Sequence, residues 1–153
     1  MSVREATRED LPAVVEAVAE LLRELGGRSP SRPQMEAEVG ALLDDESVGT
    51  LLVAEDGESL VGVLGASWQR AIHVPGRYAT IQDLWVHPEW RSRGIGAELI
   101  EALAAIAREE GVGRIEVGLP RETFAAIAQT TAFYEGAGFE HLGPRMRRLL
   151  DDA

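Results

Sequence analysis

An apolar, strand-like run, Ala79–Val86, leads through Arg91-Ser92-Arg93-Gly94-Ile95-Gly96-Ala97 directly into a helical run that continues to Arg108. A strand, a glycine-punctuated turn carrying arginines and a helix start leave few possibilities for this stretch. The first N–H groups of a helix have no partner inside it, and the helix dipole adds partial positive charge there. Gly94 and Gly96 lack a Cβ, so the turn can take positive φ and a ligand can approach the main chain. Together these features make a cradle for phosphate.

The kind of phosphate ligand is narrowed by what the turn lacks. A dinucleotide fingerprint needs G-x-G-x-x-G, but Leu99 stands where the third glycine would be. A P-loop needs a lysine, and all 15 basic residues of this chain are arginines. What remains is R-x-x-G-x-G. With its flanks it resembles the acetyl-CoA loop of the GNAT N-acetyltransferase family.

A second block, Ala132-Phe133-Tyr134-Glu135-Gly136-Ala137-Gly138-Phe139, resembles the F-Y-x-x-x-G-F segment of the same family. There a helix ends, a strand begins and a tyrosine lies near the thioester sulfur. Tyr134 matches that tyrosine, and a phenol can protonate a departing thiolate. Seven residues earlier the family often carries an asparagine that contacts the pantetheine arm. This chain has Ile127 there, with Gln129 or Thr130 as possible substitutes.

The element pattern agrees with the resemblance. Ser2–Ala6 reads as a strand, and Thr7 with Asp10 as a helix cap. Val14, Val15, Val18, Leu21, Leu22 and Leu25 form one apolar helix face that Gly26-Gly27 ends. Ser31 starts a second helix, with Met35, Val39, Leu42 and Leu43 inward. Leu51–Ala66 reads as a hairpin around Asp56-Gly57. Arg70–Arg77 reads as a loop, Arg114–Leu119 as a strand and Thr123–Gly136 as a helix. Gly138–Leu142 and Met146–Leu150 read as a closing pair of strands, the latter a possible homodimer edge. The order is β, α, α, β, β, β, α, β, α, β, β, without repeats or linkers, in one domain spanning 1–153. The expected fold class is α/β, an α+β mixed sheet of GNAT type. Its sheet is mostly antiparallel with one splayed parallel pair, flanked by helices.

The resemblance implies an acetyl-CoA-dependent N-acetyltransferase in which an amine attacks the thioester directly. Acetyl-CoA would be the co-substrate, with no metal. Leu84, Trp85 and Val86 would hold its pantetheine as a surrogate strand. Arg91, Ser92, Arg93, Gly94, Ile95, Gly96 and Ala97 would surround its pyrophosphate. An N–H near Val86 would polarise the acetyl oxygen, and Tyr134 would act as general acid. Relatives often place the base on the strand before the loop. Asp83 fits that role, because its neighbour Gln82 cannot take a proton; Glu116 follows as an alternative. Strand alternation puts Gln82 and Asp83 on opposite faces. His73 and His87 could titrate near neutrality, and His141 reads as structural. Trp90 is expected to pack under the loop, and Trp68 to pack or to line a pocket for a cation. A non-catalytic acyl-CoA-binding module is the alternative reading.

Composition excludes several classes. The net charge of −11 argues against nucleic acid, which needs a basic face, and suits a cationic small-molecule amine. With no cysteine there is no disulfide, thiolate metal site or Cys nucleophile. The N-terminal residues lack the apolar stretch of a signal peptide, and no run reaches membrane-spanning length. A cytoplasmic protein without membrane association is expected.

Overall fold

The computed structural model describes residues 1–151. Its elements run β1 (Ser2–Glu5), α1 (Leu11–Leu25), α2 (Arg32–Asp44), β2 (Gly49–Asp56), β3 (Ser59–Ala71), β4 (Val74–Val86), α3 (Ile95–Glu109), β5 (Ile115–Val117) and α4 (Ile127–Gly136). Short 3-10 turns, Arg8–Asp10 and Pro88–Trp90, lead into α1 and out of β4. Local chemistry starts α1 and α2 where the sequence predicts, whereas α4 begins at Ile127 rather than at Thr123. Asp10 accepts from the Thr7 main-chain N–H at 2.7 Å. Ser31 and Gln34 form the reciprocal capping pair of α2. Such caps satisfy donors that a helix start leaves unpaired.

The chain divides into two compact units, Met1–Val117 and the segment from Gly118 onward. The first holds a five-stranded sheet in the order β1-β2-β3-β4-β5. Its pairs are antiparallel except for β4 with β5, which is parallel. This is the mixed sheet expected from the sequence. One face buries Val14, Val15 and Ala17 of α1 and Met35 and Val39 of α2 against Leu51, Val53, Val63 and Trp85. Each such aliphatic side chain contributes about 1.5–3 kcal/mol by leaving water. The opposite face carries α3, through Ile95, Leu99, Ile100, Leu103 and Ala107. Gly62 lets that helix come close: a Cβ there would lie 3.1 Å from both Ile95 Cγ2 and Leu99 Cδ1.

Two strand assignments need correction. Arg70–Arg77 is not a loop; β3 and β4 run as 13-residue strands joined by a tight turn at Ile72-His73. The Pro75-Gly76 turn signal is absorbed as a bulge, since Ala71 pairs with Val74 but Arg70 pairs with Arg77. Proline removes a ladder donor, and a bulge tolerates that loss. At the other end, the expected strands Gly138–Leu142 and Met146–Leu150 do not form. Gly143, at φ 144°, and Pro144 interrupt the run, and Leu142, Met146, Leu149 and Leu150 are exposed. In this second unit the Arg145 guanidinium lies over Gly118, with Nη2 only 2.4 Å from where a Cβ would stand.

Gly49 supplies a test of the packing at the start of β2. A Cβ there would stand 2.1 Å from the Ala66 carbonyl oxygen, which belongs to the sheet and cannot swing away. Gly49→Ala is expected to lower stability by about 1–3 kcal/mol, the usual range for overpacking. A urea midpoint equal to that of the parent protein would contradict this packing.

Candidate active site

β4 pairs with β5 only over Ala79–Ile81, opposite Ile115–Val117. Beyond Ile81 its outer edge has no strand beside it among the described residues. The His87 N–H donates to the Val61 carbonyl at 2.9 Å, so His87 faces β3. In an antiparallel ladder the polar groups alternate sides. The N–H and C=O groups of Leu84 and Val86 therefore point to the open edge. The Val86 carbonyl is taken, at 2.9 Å, by Arg91 Nε. Two N–H donors, of Leu84 and Val86, and the Leu84 carbonyl remain for an incoming extended chain. Trp85 is placed differently from its two neighbours. Its backbone turns to Val63 on β3, and its buried ring joins the core beneath α1 and α2. The indole N–H there has no partner among the described residues.

A bulge sits in the same stretch. Gly65 pairs with Asp83 and Ala66 with Ile81, so Gln82 is the extra residue on β4. An extra residue reverses the alternation of faces. Ala79 accordingly packs with Ala107 of α3, while Trp85, six residues on, packs with α1 and α2. Asp83 falls on the side of Trp85: a Cβ on Gly65 would stand 3.6 Å from Asp83 Oδ2 and 3.7 Å from Leu51 Cδ1. Simple alternation between Gln82 and Asp83 does not hold across this bulge. Gln82 is exposed and Asp83 half-buried. Burial alone raises the Asp83 pKa from its ordinary value.

After β4 the chain turns through residues 87–94 into α3. His87 Nδ1 accepts from the Glu89 N–H at 3.1 Å, so the ring caps the 3-10 turn and that nitrogen is not free as a base. Ser92 has φ 62°, the only non-glycine residue with positive φ among those described, and Gly94 has φ 84° at the N-cap of α3. A left-handed serine costs about 1–2 kcal/mol, and such strain gathers at functional sites. The first N–H of α3 with a main-chain partner belongs to Glu98, bonded to the Gly94 carbonyl at 3.0 Å. Those of Ile95, Gly96 and Ala97 have none among the described residues. The Arg93 guanidinium lies 4.9 Å from the centre of the Trp90 ring, so Trp90 packs at the loop as expected. Arg91 also donates from Nη2 to Glu24 Oε1 at 2.6 Å. Nothing in the sequence signalled Glu24.

In the second unit Tyr134 is buried near the end of α4. Phe133 and Phe139 pack edge-on against it, with ring centres at 5.0 and 5.5 Å. The Tyr134 carbonyl accepts from the Phe139 N–H at 3.0 Å, which closes the helix at the turn the F-Y-x-x-x-G-F pattern predicts. Burial pushes the phenol up to about 12, so it stays protonated across the working pH range. Ile127 is the first residue of α4, Gln129 is exposed and Thr130 half-buried.

Of the remaining candidates, Glu116 and Trp68 are engaged elsewhere and His73 and His141 are exposed. Glu116 is ion-paired with Arg114 at 2.7 Å. Trp68 donates from Nε1 to the Glu46 carbonyl at 3.0 Å and lies under the Arg77 guanidinium. His73 is exposed in the β3–β4 turn. His141 is exposed rather than built into the structure, with Glu135 3.8 Å away. Among the described residues no group of acidic and histidine side chains is arranged to hold a metal. No helix among them is long and apolar enough to cross a membrane.

Comparison with known proteins gives the family and the fold. The sequence pattern of the Acetyltransferase (GNAT) family matches residues 13–139. An IAA acetyltransferase of Azospirillum brasilense is 31% identical over 147 residues, covering 92% of this chain and 88% of that protein. A possible acetyltransferase from Clostridium difficile superposes with a TM-score of 0.82 at 22% identity, over 99% of this chain and 98% of that one. An aminoglycoside 6'-N-acetyltransferase from Acinetobacter haemolyticus superposes with a TM-score of 0.81 at 15% identity, over the whole of both chains. At these identities the two structures speak for the fold alone.

The desolvated Asp83 carboxyl has a consequence for stability. Its pKa is higher folded than unfolded, so the folded state holds the proton more tightly. The group favours folding below its unfolded pKa and progressively less as pH rises through the folded one. Asp83→Asn should therefore raise Tm at about pH 8 and change it little near pH 3, where both states are protonated. An equal shift at both values would show that desolvation of the charge is not the cause.

Proposed function

The chain belongs to the acetyltransferase (GNAT) family and is an acyltransferase, and from that premise we propose that it transfers the acetyl group of acetyl-CoA to the primary amine of a small, cationic molecule. The observation that carries this reading is the bare edge of β4 leading into the unpaired N–H groups of α3. Pantetheine lies along the edge, one of its amides pairing with the Leu84 carbonyl and an outward N–H. The other outward N–H polarises the acetyl oxygen. The pyrophosphate rests on the main chain from Ser92 to Ala97, with the arginines supplying charge. The match over residues 13–139 runs through both compact units, which supports reading 1–153 as one acetyltransferase domain.

Asp83 is the general base. Its carboxyl, raised by burial, is better suited to take a proton near neutrality than an exposed one. It also supplies negative charge for a cationic acceptor. The neutral amine nitrogen attacks the acetyl carbon, its proton passes to Asp83 directly or through water, and the C–S bond breaks. Tyr134, matched by the F-Y-x-x-x-G-F block, gives its phenolic proton to the leaving thiolate. No residue is acylated on the way. The exposed Met146–Leu150 segment is the surface we assign to a homodimer contact.

Two experiments test the assignment. Gly94→Glu puts a carboxylate at the pyrophosphate position and is expected to abolish CoA binding by calorimetry while the protein stays folded. Unchanged affinity would refute the loop assignment. With thiol release followed over a panel of amines, Asp83→Asn and Tyr134→Phe are each expected to lower kcat by about 10²-fold or more with little change in acetyl-CoA KM. The Asp83→Asn profile should lose the limb that rises from low pH as the base ionises. Tight CoA binding without thiol release on any amine would favour a binding module over an enzyme.

A further inference from the structure

The two arginines of the loop are not equivalent. Arg93 lies on the Trp90 ring and has no carboxylate within ion-pair distance among the described residues. Arg91 is held twice. Its Nε donates to the Val86 carbonyl at 2.9 Å, and its Nη2 to Glu24 Oε1 at 2.6 Å. The Val86 bond alone is enough to direct the guanidinium, because it fixes the side chain to the rigid end of β4. Glu24 is therefore not needed to position Arg91. What it adds is a negative charge next to a group placed to meet phosphate.

The setting of Glu24 points the same way. It lies in the last turn of α1, two residues before Gly26 at φ 76°. A carboxylate there opposes the helix dipole, and a basic residue is the favourable choice. Its contact with the loop comes from an element 67 residues away in the chain. Local helix preference does not account for a glutamate at this position, whereas the arginine opposite does.

We propose that Glu24 competes with the phosphates of the CoA donor for Arg91, and so sets how tightly the loop holds that donor and its product. The proposal rests on the loop being the CoA site. In the free protein Glu24 neutralises Arg91. On binding, the phosphates displace the carboxylate and take over Nη2, while Nε stays on Val86. Affinity is lowered equally for acetyl-CoA and CoA, since both carry the same phosphates, and product leaves faster.

The test is calorimetry with CoA, and separately with pantetheine, which lacks the pyrophosphate and nucleotide. Glu24→Gln keeps an oxygen that can accept from Nη2 but removes the charge; Glu24→Ala removes both. Each is expected to tighten CoA binding roughly three- to ten-fold, the size expected for one screened charge near a pyrophosphate. Pantetheine affinity should not change, and the gain should shrink in high salt and vanish in an Arg91→Ala background. If Glu24→Gln binds CoA like the parent protein, or Glu24→Ala binds it more weakly, competition is wrong and Glu24 is a positioning residue or inert. A parent protein that binds pantetheine and CoA equally would overturn the loop assignment itself, and this proposal with it.

Discussion

β4 shares hydrogen bonds with β5 over three residues and then runs on toward α3 paired with β3 alone among the described residues. A strand edge with unpaired N–H and C=O groups is normally a hazard, because any other extended chain can pair with it. Here the exposed stretch is short, and Arg91 closes its far end by taking the Val86 carbonyl. What remains open fits one extended segment. The sheet needs no special ligand chemistry to offer this site, since the polar groups are those that every strand carries.

The bulge at Gln82 works on the same few residues. Without it, Asp83 would share the face of Ala79 and sit toward α3. With it, Asp83 and Trp85 turn to the side of α1 and α2, while Leu84 and Val86 keep their polar groups on the open edge. One inserted residue thus separates the Asp83 carboxyl from the face of the sheet that carries α3. The cost is a carboxyl half out of water, and that desolvation holds its pKa up.

On the proposed reading, a chain with a net charge of −11 has to receive a donor that is itself anionic. The structure meets this locally. The loop holds Arg93 and, two residues on, the start of α3, where the helix dipole and three N–H groups without a partner among the described residues come together. The remaining carboxylates act on a bound phosphate mainly through screened solvent, and their effect fades over a Debye length of about 8–10 Å. Near contacts therefore dominate.

The features legible in the sequence are those decided within a few residues of themselves. The capping boxes at Thr7–Asp10 and Ser31–Gln34, the apolar stripe of α1, the loop glycines and the F-Y-x-x-x-G-F turn each depend on neighbours one to five positions away. They were enough to identify the mixed sheet and the glycine turn that opens α3. Where the sequence reading failed, partners were distant or missing. Pro75-Gly76 carries a strong turn signal, yet the long β3–β4 ladder absorbs it as a bulge. Met146–Leu150 has strand-like residues but no strand to pair with. The face on which Asp83 lies, the open edge beside Leu84 and Val86, and the meeting of Glu24 with Arg91 were settled only by tertiary structure. Each depends on registers and packing between segments far apart in the chain, and no local preference encodes them.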